Sequence, residues 1–138
     1  MNFEPGATIQ LLSSTVVTIN ADIEGYQHSI FSGDGQVIIV NVMQRILPQW
    51  WGAKGDGITD DSVAIYNALR AVPNDGEVEG TGGTVYFKAG NYMVSRGFEV
   101  TPRSVIEGDG PQVTKFLIVS NCTNTTFSET AGAMFFLN

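Results

Sequence analysis

Apolar residues along this chain fall into three rhythms. From about residue 6 to residue 48, short runs rich in β-branched residues, "ATIQLL", "TVVTIN", "SIFS" and "QVIIVNV", are separated by turn residues such as Gly25 and "SGDGQ". The partial alternation in "TVVTIN" predicts a strand with one buried and one wet face. From Asp60 to Val72 the period changes. Val63, Ala64, Ile65, Ala68, Leu69 and Val72 form an apolar stripe at spacings of three and four, which predicts an amphipathic helix. Pro73, Asn74, Asp75 and Gly76 should end it, because proline cannot continue a helix and the next three residues favour a turn.

From about residue 82 the short-strand rhythm returns. "GTVYFKAGNYMVSRGFEV" suggests strands of three to five residues with glycine between them, followed by "SVIEGDG", "TKFLIVS" and "AMFFLN". Short strands punctuated by Gly or Asn fit a barrel, a sandwich or a β-solenoid. No exact internal repeat chooses among these. In "AMFFLN" three large apolar residues in a row cannot all face inward on one strand, so this segment is expected to begin a new rung with an apolar residue outward.

Composition narrows the function classes. With 138 residues, 43% hydrophobic and 15% charged, the chain fits one folded unit with a real core. Its 16 glycines favour many tight turns. Fourteen acids against seven Lys and Arg give a net charge of −7, a poor match for nucleic-acid backbone or an anionic membrane. The one cysteine, Cys122, excludes a disulfide framework and reads as a small buried hydrophobe. "MNFEPGATIQ" has neither the basic nor the apolar region of a secretory signal, and "VIIVNVM" is too short to span a bilayer, so a soluble protein is expected.

The stretch with the most chemistry to offer is "WWGAKGDGITDDSVAIYNALRAV", residues 50–72. It is not a P-loop, since Lys54 precedes the later glycines and Asp56, Asp60 and Asp61 would repel phosphate. "GAKGDG" follows a Trp pair rather than a buried strand, which breaks the dinucleotide fingerprint. An EF-hand counted from Asp56 fails at its third position, Ile58, and its twelfth, Asn67. Asp60 and Asp61 are neighbours whose side chains diverge, unlike the opposed carboxyls of glycoside hydrolysis. The reading that remains is a helix start. Thr59 or Asp60 is the N-cap, the other acids lie against the positive helix end, and Gly55 and Gly57 free the turn before it. No cofactor or metal is expected. His28 stands alone and reads as a surface or turn residue, and the sequons at Asn121 and Asn124 read as turn-forming polar residues.

"WWGAKGDGITDDSVAIYNAL", "GGTVYFKAGNYMVS" and "SVIEGDGPQVTKFLI", in this order and spacing, resemble the opening of the pectate-lyase-like right-handed parallel β-helix superfamily. The resemblance covers about residues 48–119. Gln49, where a glutamate is frequent, and Lys88, where a proline is common, are its departures. It implies a mainly β fold: residues 1–48 a β-rich lead-in or attachment segment, residues 49–138 the cap helix and first coils of a β-helix. The helix stripe would then cover the open end of the solenoid, with Trp50 and Trp51 wedging it onto the first rung. Members include phage tailspikes and polysaccharide lyases and hydrolases, whose catalytic acids usually sit on later coils, so no catalytic residue is carried over. The expectation is a structural part of a homotrimeric virion protein meeting other virion proteins and a cell-surface polysaccharide. The alternative is the start of a secreted or surface carbohydrate-active enzyme.

Overall fold

The structure, a computed structural model, describes residues 1–24, 28–40, 43–73, 82–100 and 103–123, with side chains to residue 120. In the lead-in, β1 (Ile9–Leu11), β2 (Val16–Ile19), β3 (Phe31–Gly33) and β4 (Gln36–Ile39) form where the β-branched runs predict them. A two-residue strand, β5 (Arg45–Ile46), leads into a short 3-10 helix, Pro48–Trp51. Then come β6 (Asp56–Asp60), α1 (Ser62–Arg70), β7 (Gly83–Phe87), β8 (Gly90–Arg96), β9 (Ser104–Gly108) and β10 (Thr114–Thr123). Among the described residues the fold is mainly β with one α-helix. "AMFFLN", the second sequon and residues 25–27 of the lead-in lie outside the described residues, as does the Cys122 side chain.

All the described strand pairings are parallel. Parallel neighbours cannot be joined by a tight hairpin, so the chain must travel before it returns. Here it travels through another strand. β1 pairs with β3 and β2 with β4; further on, β5, β7 and β9 make one ladder and β6, β8 and β10 the other. Successive strands therefore alternate between two ladders. Register keeps like with like: Ile46 lies beside Val85 and Val85 beside Ile106, while Tyr92 lies beside Phe116. Phe87, Tyr92 and Phe116 meet between the ladders, with ring centroids 4.9 to 5.8 Å apart. Offset and edge-on contacts at such distances add stability beyond area burial.

The predicted helix is present but shorter than its apolar stripe. Asp60 stays out of the helix because Asp56 and Asp60 pair with Asn91 and Met93 of β8, on either side of the turn at Gly57, and that tertiary pairing outweighs local helix preference. β8 and β10, at seven and ten residues, exceed the strand lengths the glycine spacing suggests.

The helix packs between the lead-in and the later strands. Ile30 N–H donates to Trp50 C=O at 2.9 Å, and Ile39 N–H donates to Ala71 C=O at 2.8 Å. These bonds tie β3 and β4 directly to the helical layer. The same layer meets the later strands, where Val72 packs over Gly83 and the Ser62 hydroxyl accepts the Ser95 N–H at 2.8 Å. One apolar cluster runs from Phe3 through Ile39, Trp50, Ile65 and Val72 to Val94, so the core crosses the compositional boundary at residue 48.

Ile65 is 1% exposed within that layer, whereas Val63 on the outer face is 63% exposed. Ile65→Ala should cost about 2–5 kcal/mol, and Val63→Ala should stay within about 0.5 kcal/mol. Urea denaturation of the two variants measures the contrast.

Candidate functional site

The acidic segment folds around Asp61. The Lys54 and Gly55 N–H groups donate to its two carboxylate oxygens at 2.8 and 3.0 Å. Its own N–H donates to Met93 C=O at 2.9 Å, and its C=O accepts the Ile65 N–H at 2.9 Å. One buried residue thus joins the loop after the Trp pair, strand β8 and the first turn of α1. Gly55 makes the loop's approach feasible. It has φ +62°, and a Cβ there would stand 3.2 Å from the Tyr92 ring. Gly57, at φ +75°, takes the turn within β6.

Asp61, rather than Thr59 or Asp60, is the N-cap residue, and its side chain makes no capping bond to the helix. The residues expected to cap are used differently. Thr59 Oγ1 donates to Asp56 Oδ2 at 2.8 Å, and Asp56 Oδ1 also accepts the Thr59 and Ile58 N–H groups, a local turn closed by a carboxylate. Asp60, one position before the cap, accepts the Ser62 N–H at 3.0 Å with one oxygen and the Ser95 hydroxyl at 2.5 Å with the other. It satisfies one free helix donor while pinning α1 to β8. Sequence reasoning missed Ser62 and Ser95, which lie 33 residues apart and carry no motif.

The three acids are set apart by their surroundings. The Thr59 and Ile58 N–H groups hold exposed Asp56 at a pKa of about 2. Hydrogen bonds from Ser62 and Ser95 also hold Asp60 below the ordinary value. Burial pushes Asp61 up, against the opposing pull of its two N–H donors.

Trp50 is buried at 1% exposure, and Trp51 is half-buried with its ring 5.0 Å from Phe31 of β3. The Trp pair is therefore in contact with the lead-in. Beneath it, Gln49 Nε2 donates to Tyr92 Oη at 2.8 Å and Tyr92 Oη donates to Lys88 C=O at 3.0 Å. The two positions that depart from the family resemblance, Gln49 and Lys88, thus meet through one tyrosine. His28 is half-buried. Each carboxylate of the cluster is engaged by groups of this chain, and no cluster of three metal-ligating residues occurs among the described residues. The arrangement joins segments of the chain.

Comparison with known proteins places this geometry. Residues 49–134 match the family described as Rhamnogalacturonase A/epimerase, pectate lyase-like, and the chain belongs to that family. It is 46% identical over 56 residues to alginate lyase 7 of Azotobacter vinelandii, covering 41% of this chain and 6% of that protein. It is 38% identical over 69 residues to the preneck appendage protein of Bacillus phage PZA, covering 49% of this chain and 7% of that protein. Mannuronan C5-epimerase AlgE1 of Azotobacter vinelandii is 49% identical over 49 residues, covering 36% of this chain and 3% of that protein. The chain thus spans less than a tenth of the length of each. No solved structure matches it.

The pKa pattern has a signed consequence. Because the folded-state value of Asp56 is depressed, its contribution to stability is present above the ordinary value of 3.8 and is lost as pH falls toward about 2. Asp61, raised by burial, runs the other way: its contribution is full below 3.8 and lost as pH rises through its folded value. Asp56→Asn keeps an acceptor for Ile58 and Thr59 but cannot titrate. Between about pH 5 and about pH 2 its melting temperature should fall less steeply than that of the wild type. Parallel melting curves would refute the assignment.

Proposed function

We propose that this chain is the opening of a right-handed parallel β-helix in a virion appendage, joining the solenoid to the particle. The observation that carries the reading is the alternation of parallel strands between two ladders, tied through the 3-10 helix and α1 to a β-rich lead-in. A winding of this kind buries side chains between its ladders and leaves strand edges at its ends, so it needs further chain or a partner there. The match to the phage PZA appendage protein, at 69 residues, is longer than those to the lyase and the epimerase. In this reading Trp50, Trp51 and the acidic loop from Gly55 to Asp61 are the joint, the full-length protein is a homotrimer, and its neighbours are other virion proteins and a cell-surface polysaccharide.

A second reading, the start of a polysaccharide-degrading or -modifying enzyme with its catalytic acids on later coils, is favoured by the higher identity to the alginate lyase and the epimerase. Antibodies raised against residues 1–138 separate the two. Under the first reading they decorate appendages of phage particles induced from the strain carrying the gene, and the full-length protein is trimeric by light scattering. Undecorated particles, with a secreted protein that releases reducing or unsaturated sugar ends, would favour the second.

A further inference from the structure

Residues 33–35, 55–57 and 108–110 are the same tripeptide, Gly-Asp-Gly. An aspartate followed by glycine is the pair at which a main chain most readily rearranges. With no Cβ on the second residue, its amide nitrogen can close on the aspartate Cγ. Identical neighbours give the three sites one intrinsic tendency, so the fold decides between them. A fourth Asp-Gly pair, 75–76, lies outside the described residues.

Two of the three carboxylates are held. Asp56 Oδ1 accepts the Ile58 and Thr59 N–H groups at 2.9 and 2.7 Å, and its Oδ2 accepts the Thr59 hydroxyl at 2.8 Å. Asp109 Oδ1 accepts the Tyr86 hydroxyl, and its Oδ2 accepts the Ala89 N–H at 2.6 Å. To bring its Cγ onto the next amide, each would have to release these donors and leave them without an acceptor. Bonds from Thr59 and Ile58 hold Asp56 at a pKa of about 2, and those from Tyr86 and Ala89 hold Asp109 below the ordinary value. The protonated carboxyl, the form that loses water, is therefore scarce at both.

Asp34 differs. It is exposed at the corner between β3 and β4, and neither its carboxylate nor the Gly35 N–H has a hydrogen-bond partner among the described residues. The corner has no slack. A Cβ on Gly35 would lie 2.6 Å from Thr15 Oγ1 and 2.7 Å from Leu11 Cβ. Gly33 before it is in register with Leu11, and Gln36 after it with Val16. Gln36 and Ile39 then reach Arg70 and Ala71 at the end of α1. A longer main chain at this corner must shift one strand or the other.

We propose that Asp34 is a site of spontaneous isoaspartate formation, and that the rearranged corner loosens β4 from α1. The Gly35 nitrogen attacks Asp34 Cγ and gives up its proton, the Cγ–OH bond breaks, and one water leaves as a succinimide closes. Water then adds to the main-chain carbonyl carbon of Asp34. Its bond to the Gly35 nitrogen breaks, and that nitrogen takes back a proton. The main chain now runs through Cγ, one methylene longer, with no net change in mass and no other reactant. The site stands whether the whole protein is an appendage or an enzyme.

The test is storage of the 138-residue chain at neutral pH and physiological temperature for several weeks. Proteolysis and electron-transfer fragmentation mass spectrometry then separate isoaspartate from aspartate at each triplet. Isoaspartate should accumulate at Asp34 at least about tenfold faster than at Asp56 or Asp109, since only those two must first break hydrogen bonds. In urea, where the fold is lost, the three should convert at similar rates. Tyr86→Phe, which removes one bond to Asp109, should speed conversion there about fivefold. Stored wild type should melt several degrees lower than fresh protein. Stored Asp34→Glu, which would need a larger and slower-closing ring, should melt as it did when fresh. Equal rates at the three triplets in the folded chain, or isoaspartate at Asp34 only in urea, would overturn the proposal. So would an unchanged melting temperature in protein shown to carry isoaspartate at Asp34.

Discussion

The fold turns on a buried carboxylate. Asp61 binds the Lys54 and Gly55 N–H groups through its side chain, Met93 through its N–H and Ile65 through its C=O. A loop leaving a buried Trp carries backbone donors into the interior, and each must find an acceptor. A single carboxylate meets two at once. The same residue ends the extended stretch paired with β8 and starts the helix, so loop, strand and helix share one anchor. Burial raises the cost of its charge, which is why the two N–H donors are needed to hold it there.

From that anchor the two halves of the chain are joined. The helical layer accepts Ile30 and Ile39 N–H groups from the lead-in, and Gln36 clasps Arg70 from β4. On the later strands, Gln49 reaches Tyr92 and Ser62 reaches Ser95. The lead-in is packed into the same hydrophobic core as the ladders that follow. A hinge at residue 48 would have to open buried apolar surface.

Much of the local structure was legible in the sequence. The β-branched runs of the lead-in became strands, the stripe of Ile65, Ala68 and Leu69 became the buried helix face, and Gly55 and Gly57 took positive φ. The pairings were not legible, because parallel partners such as Tyr92 and Phe116 lie far apart along the chain and no turn motif announces them. The helix start was misplaced because its first predicted residue, Asp60, is claimed by β8. Asp61 was read as an acid facing the helix dipole; whether a carboxylate faces its own helix or a preceding loop depends on the path of that loop. The Ser62–Ser95 contact was invisible for the same reason, since only folding brings β8 to the helix.

Native-state hydrogen exchange at the Lys54 and Gly55 amides tests the anchor most directly. In the wild type both amides should be protected to about the level of the Ile65 amide, since all three are held at Asp61. In Asp61→Ala the two loop amides should exchange at least about tenfold faster, and the Ile39 amide, bonded to the end of the helix, should lose protection with them. Unprotected Lys54 and Gly55 amides in the wild type, or unchanged protection in the variant, would contradict the account.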